Sequence, residues 1–177
     1  MCIAALLMTQ CARDNGPSAS GDSVGSGGNN DTVNTDGYVD LGLTSMTVWK
    51  ATNEVNEADA DRDFYTFDEA IAAFGDKIPT REQFEELVRS CQWVWVGIGY
   101  RVIGPNGKSI LLPAEGSRDC YGTVDYVRNY GFYWSSTPDV NHDYAWYLTF
   151  YSDEIFMYKY NRCYGNSVRL VKDVQDY

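Results

Sequence analysis

The 177-residue chain carries 25 Asp and Glu against 14 Lys and Arg, a formal charge of −11. That balance leaves no basic face for phosphates and argues against a nucleic-acid partner. Hydrophobic residues make up 44% and aromatic residues 15%, with 14 Tyr and 5 Trp, which excludes a disordered polymer and fits one domain with a real core plus appendages.

Met1 to Gln10 is an apolar run, too short to span a bilayer, that ends at Cys11. It resembles a bacterial lipoprotein signal, in which the cysteine becomes the lipidated first residue, although no Lys or Arg precedes the run and Gln10 is bulkier than usual there. Residues 12–37 are Gly, Ser, Asn and Asp with few apolar side chains. Such a segment buries too little surface to offset its ordering entropy and is expected to be a flexible tether. The folded domain is expected over residues 38–177.

Tyr38 to Leu43 and Thr47 to Thr52 read as strands. An acidic stretch follows, Glu54, Glu57, Asp59, Asp61 and Asp63. Its alternating carboxylates suit calcium, but it lacks the mid-loop glycine and distal glutamate of a calcium loop, so it is read as solvated. Thr66 with Glu69, and Thr80 with Gln83, are capping boxes that open two helices. Phe67, Ala70, Ile71 and Phe74 form one apolar stripe, and Phe84, Leu87, Val88 and Cys91 the other. Cys91 is thereby a buried small hydrophobe and not a nucleophile.

From Gln92 the pattern is β. Trp93 to Val96, Tyr100 to Ile103 and Ser109 to Leu112 read as strands, the last two joined through Gly104-Pro105-Asn106-Gly107. Pro113 to Asn129 reads as one long loop. Phe132 to Thr137 is an aromatic strand, Ala145 to Tyr151 and Glu154 to Tyr160 form a hairpin across Ser152-Asp153, and Asn166 to Lys172 closes the sheet. In the hairpin's first strand Trp146, Leu148 and Phe150 share a face read as core, while Tyr147, Thr149 and Tyr151 share a face expected to stay wet.

Cys91, Cys120 and Cys163 cannot all pair, so at most one disulfide forms and a disulfide scaffold is not expected. His142, the single histidine, has no nucleophile with a signalled elbow beside it and reads as an exposed loop residue. Arg169, between Val168 and Leu170, reads as a structural hydrogen-bond partner. The binding candidates are tyrosines with adaptable polar neighbours: Tyr144, Tyr147, Tyr158, Tyr160, Asn161, Arg162, Tyr164 and Asn166, with Arg118 and Tyr121 from the long loop. No metal ligand set or cofactor is expected.

Tyr38-Val39-Asp40-Leu41-Gly42-Leu43, Ile78-Pro79-Thr80-Arg81-Glu82-Gln83-Phe84-Glu85-Glu86-Leu87, Cys91-Gln92-Trp93, Gly99-Tyr100, Gly104-Pro105-Asn106-Gly107, Leu112-Pro113-Ala114, Tyr133-Trp134-Ser135-Ser136-Thr137 and Ser167-Val168-Arg169 occur in order. This series resembles the Fibrobacter/Bacteroidetes major paralogous domain of predicted cell-surface lipoproteins. The resemblance implies an α+β, C-type-lectin-like fold, with two helices on a twisted antiparallel sheet and ligand contacts from the final strands and loops. Formylglycine-generating enzymes and retroelement-diversified receptors share that fold. The former use a cooperating cysteine pair near the C-terminal part of the domain, where this chain has Cys163 alone, and the Glu-Pro-Asn, Gln-Pro-Asp and Trp-Asn-Asp triplets of calcium-dependent lectins are absent. The expectation is a non-catalytic outer-membrane lipoprotein exposed at the cell surface that binds an extracellular glycan or protein. A structural component of a surface complex and a formylglycine-generating oxidase are its rivals.

Overall fold

The computed structural model describes residues 36–58 and 63–173. Cys11, most of the tether, and Asp59 and Asp61 of the acidic stretch lie outside them. In chain order the elements are β1 (Tyr38–Asp40), β2 (Thr47–Lys50), α1 (Phe67–Phe74), α2 (Arg81–Ser90), β3 (Gln92–Trp95), β4 (Gly99–Ile103), β5 (Ser109–Pro113), β6 (Ser117–Arg118), β7 (Val124–Asp125), β8 (Gly131–Pro138), β9 (Tyr144–Tyr151), β10 (Glu154–Asn161) and β11 (Val171–Asp173). The fold is α+β. Sheets β1-β2-β11, β3-β4-β5 and β10-β9-β8 are antiparallel, with β6-β7 as a small ribbon. No helix among the described residues is long and apolar enough to cross a membrane.

Both helices begin where the capping boxes place them. Thr66 Oγ1 accepts from Glu69 N at 3.3 Å while Glu69 Oε2 accepts from Thr66 N at 2.7 Å. Thr80 and Gln83 repeat the exchange at 3.2 and 2.8 Å. These bonds satisfy donors that no preceding turn can reach. Gly75 ends α1 at φ 55°, a conformation that glycine adopts without a Cβ penalty. Cys91 closes α2, its N–H donating to Leu87 O, and packs half-buried against the core.

The sheet β10-β9-β8 divides the interior. One face, with Tyr133, Leu148 and Phe150, packs with Phe84 and Leu87 of α2 and with Trp49, Val102 and Leu112. The opposite face, with Phe132, Trp134, Ala145 and Tyr147, packs with Phe67 and Ala70 of α1 and with Val168 and Leu170. The wet face expected for β9 is therefore largely absent. Tyr147 and Thr149 are 5% and 2% exposed, because β9 is the central strand and α1 with the 164–170 segment covers its second side. Gly131 is required by packing: a Cβ there would meet the Phe150 ring at 2.1 Å.

Two further expectations need correction. The segment 113–129 is not a plain loop, since β6 and β7 pair within it. The closing strand is short, because Asn166 and Ser167 make only isolated bridges, to Tyr65 and Tyr133, before β11 pairs with β2. Between these points Arg169 is fully buried. Its Nε donates to Asn53 Oδ1 at 2.9 Å, and its two terminal nitrogens donate to Lys50 O and Leu111 O at 2.8 and 2.7 Å. Asn53 Nδ2 in turn reaches Glu115 Oε2 at 2.7 Å and Tyr133 Oη at 3.1 Å. One guanidinium thus ties β2, β5 and the chain entering β11 together.

Candidate functional site

Alternation along β10 puts Phe156, Tyr158 and Tyr160 on the face that β9 gives to Tyr147 and β8 gives to Phe132. Beyond α1 this face is exposed at Phe156 and Tyr158. Tyr160 lies 5.1 Å from Tyr147 and 4.0 Å from Tyr164 between ring centroids. Phe132 continues the row to Tyr130 and Tyr126, at 6.0 and 6.1 Å. The result is a shelf of aromatic rings with Phe132 and Tyr147 as its floor and Tyr126, Tyr158, Tyr160 and Tyr164 at its surface. Tyr126 and Tyr158 are 54% and 60% exposed.

The phenols of the shelf influence one another. Burial, then the neighbouring Tyr164, push the Tyr160 hydroxyl well above its ordinary value, and burial with Tyr158 nearby raises Tyr147 to about 12. These hydroxyls stay protonated and act as both donors and acceptors. Tyr126 and Arg128 at the rim each hold φ of 65°, a left-handed backbone that bulky residues seldom adopt.

The disulfide Cys120–Cys163, with Cα atoms 5.1 Å apart, fastens the rim to the turn that carries Tyr164. Both cysteines are exposed, while Cys91 is a free thiol that burial pushes up to about 11. Arg118 supports the same turn by exchanging backbone hydrogen bonds with Gly165 at 2.9 and 2.8 Å.

Of the residues expected to bind, Tyr147, Tyr158, Tyr160 and Tyr164 come together here. The others have different places. Tyr121, 95% exposed, caps the turn in which Asp119 Oδ1 accepts from Tyr121 N and Thr123 N at 2.8 Å each. Asn161 shapes the turn, its Oδ1 accepting from Cys163 N at 3.1 Å. Arg162 pairs with Asp68, donates to His142 O at 3.0 Å and lies over the Phe67 ring, so it fixes the turn to α1. Asn166 is fully buried, its backbone pairs with Tyr65, and neither its side-chain Nδ2 nor its Oδ1 has a hydrogen-bond partner among the described residues. Tyr144 sits on the opposite face of the sheet. Tyr126, from the segment read as a loop, Tyr130 just after it, and Phe132, which opens the aromatic strand, join the row without having been among the expected binding residues.

Tyr144 belongs to a groove of about 520 Å³ lined by Asp139, Tyr144, Trp146, Met157, Tyr158 and Lys159. Arg81 already lies over the Trp146 ring at 3.8 Å, and Lys159 Nζ is 5.0 Å from its centroid and 2.6 Å from Asp139 Oδ2. The indole is therefore engaged by cations and less free than the shelf to stack on a ligand. His142 is exposed, and no group of three or more His, Cys, Asp or Glu among the described residues is placed to hold a metal ion.

A family model described as Domain of unknown function (DUF8237) matches residues 105–171, a span from the hairpin after β4 to the start of β11 that contains the whole shelf. No curated protein and no solved structure matches the chain.

Proposed function

We propose that this chain is a lipid-anchored, surface-displayed binding protein whose C-type-lectin-like domain holds an extracellular glycan on the tyrosine shelf, without catalysis. The carrying observation is the continuous row Tyr126, Tyr130, Phe132, Tyr147, Tyr160 and Tyr164, with ring separations of 4.0 to 6.1 Å. Flat rings stack on the apolar faces of sugars, and protonated phenols beside them can bond sugar hydroxyls in either sense. The apolar leader ending at Cys11, the polar tether and the ordered family blocks support an anchored lipoprotein of the major paralogous family.

Binding to a broad glycan array, with and without a calcium chelator, tests the ligand class, and chelator-insensitive hits are expected. The anchor is tested by membrane fractionation of Cys11→Ala, which is expected to leave the membrane; a variant that stays there refutes the lipoprotein assignment.

A further inference from the structure

The aromatic row continues past Tyr130. The Tyr130 ring also meets Tyr151, 5.2 Å away between centroids, and both residues line a cleft of about 440 Å³ with Trp95, Arg128, Asn129 and Ser152. Trp95 is fixed from behind, edge-on to Tyr100 at 5.2 Å and to Phe150 at 6.5 Å. The cleft has the size of a small-ligand site, and it combines flat walls with a few polar groups.

Arg128 is the one charged residue lining it. Its guanidinium makes no ion pair, hydrogen bond or ring contact among the described residues, whereas Arg81, Arg162 and Arg169 are all engaged. The backbone beneath it is pinned. Arg128 N donates to Ala114 O at 2.7 Å, Asn129 N and Tyr130 N both donate to Tyr126 O at 3.0 Å, and Tyr130 O accepts from Gly116 N at 2.9 Å. These bonds hold Arg128 at its left-handed φ of 65°, and bulky residues kept in such conformations cluster at ligand clamps. Asp153 and Glu154 act on the Tyr151 phenol from the β9–β10 turn, yet neither lines the cleft.

We propose that this cleft is an acid-binding subsite at the end of the shelf, where Arg128 pairs with the carboxylate or sulfate group of an acidic sugar whose ring lies against Tyr130 and Tyr151. The inference rests on the glycan reading of the shelf and narrows it to anionic glycans. A guanidinium forks two N–H donors onto one oxyanion, and Asn129 and Ser152 stand beside it to bond sugar hydroxyls. In a chain of net charge −11 no long-range field draws an anion in, so its capture falls to this local contact.

Glycan-array binding by the full chain tests it, with uronic, sialic, sulfated and neutral glycans, carboxyl-reduced forms of the acidic ones, and Arg128→Gln beside Arg101→Gln. Arg101 is exposed on β4 and does not line the cleft, so its variant removes the same charge elsewhere. The wild type is expected to prefer acidic glycans. Arg128→Gln should weaken them at least about tenfold at an unchanged thermal midpoint, while Arg101→Gln keeps them. Loss on carboxyl reduction assigns the contact to a carboxylate, and hits confined to sulfated glycans assign it to a sulfate. Equal binding of neutral glycans, acidic hits that Arg128→Gln retains, or equal loss in both arginine variants overturns the subsite and leaves the shelf standing. An array blank for every glycan removes the shelf reading and the subsite with it.

Discussion

The rings of Tyr160 and Tyr164 lie 4.0 Å apart between centroids, at the tightest point of the aromatic row. Tyr160 is the last residue but one of β10 and Tyr164 sits across a turn from it, so the contact depends on how that turn is held. Cys163 in the turn is bonded to Cys120, 43 residues earlier. Replacing both cysteines by serine is expected to cost about 4 kcal/mol by the chain-entropy account of a loop this long, read by urea unfolding, and to weaken ligand binding because Tyr164 loses its fixed position. Peptide mapping should show the 120–163 bond, with Cys91 alkylated only after denaturation.

Arg169 makes three hydrogen bonds while fully buried, and each acceptor depends on it. Arg169→Ala takes the donor from Asn53 Oδ1 and from the Lys50 and Leu111 carbonyls beside a cavity and is expected to destabilise by about 3 to 5 kcal/mol. Arg169→Lys should recover little, since one ammonium cannot copy the planar fork. Full recovery by lysine in equilibrium unfolding contradicts this role.

Glu115 gives a pH dependence of opposite sense to the usual carboxylate. Burial raises its folded pKa above 4.5, against the lowering effect of hydrogen bonds from Ser167 and Asn53. Between the unfolded and folded values the native state holds the proton that the unfolded chain has lost, so this group's contribution falls as pH rises above 4.5. Asp119 and Asp139, whose pKa values are lowered, act in the reverse direction and lose their contribution as pH falls. Glu115→Gln should therefore differ from the wild-type curve by removing a decline with rising pH, and parallel curves contradict the assignment.

Gly131 faces the Phe150 ring with no room for a methyl group. Gly131→Ala is expected to cost about 1 to 3 kcal/mol through overpacking, visible as a lower unfolding midpoint. Tyr158→Ala, at a site 60% exposed, should shift stability by no more than about 0.5 kcal/mol.

Local signals carried much of the fold. The Thr66 and Thr80 capping boxes located both helices, and the Gly104 to Gly107 turn located the β4–β5 hairpin. What alternation could not show was that β9 is central: Tyr147 and Tyr151 have the pattern of a wet face, and only the α1 and 164–170 packing buries the former. The site was legible as a tyrosine-rich end but not as a surface. Arg162 and Asn161 turned out to be occupied in holding the turn, and Tyr126 reaches the shelf through a tertiary contact that no sequence spacing encodes.

The most direct test of the shelf is glycan-array binding by the full chain beside the Tyr158→Ala/Tyr164→Ala double variant, each checked for folding and each run with and without calcium chelator. The account predicts hits by the wild type that survive the chelator and vanish in the variant. Hits that the folded variant retains, or a blank array with folded wild type, contradict glycan binding on this face.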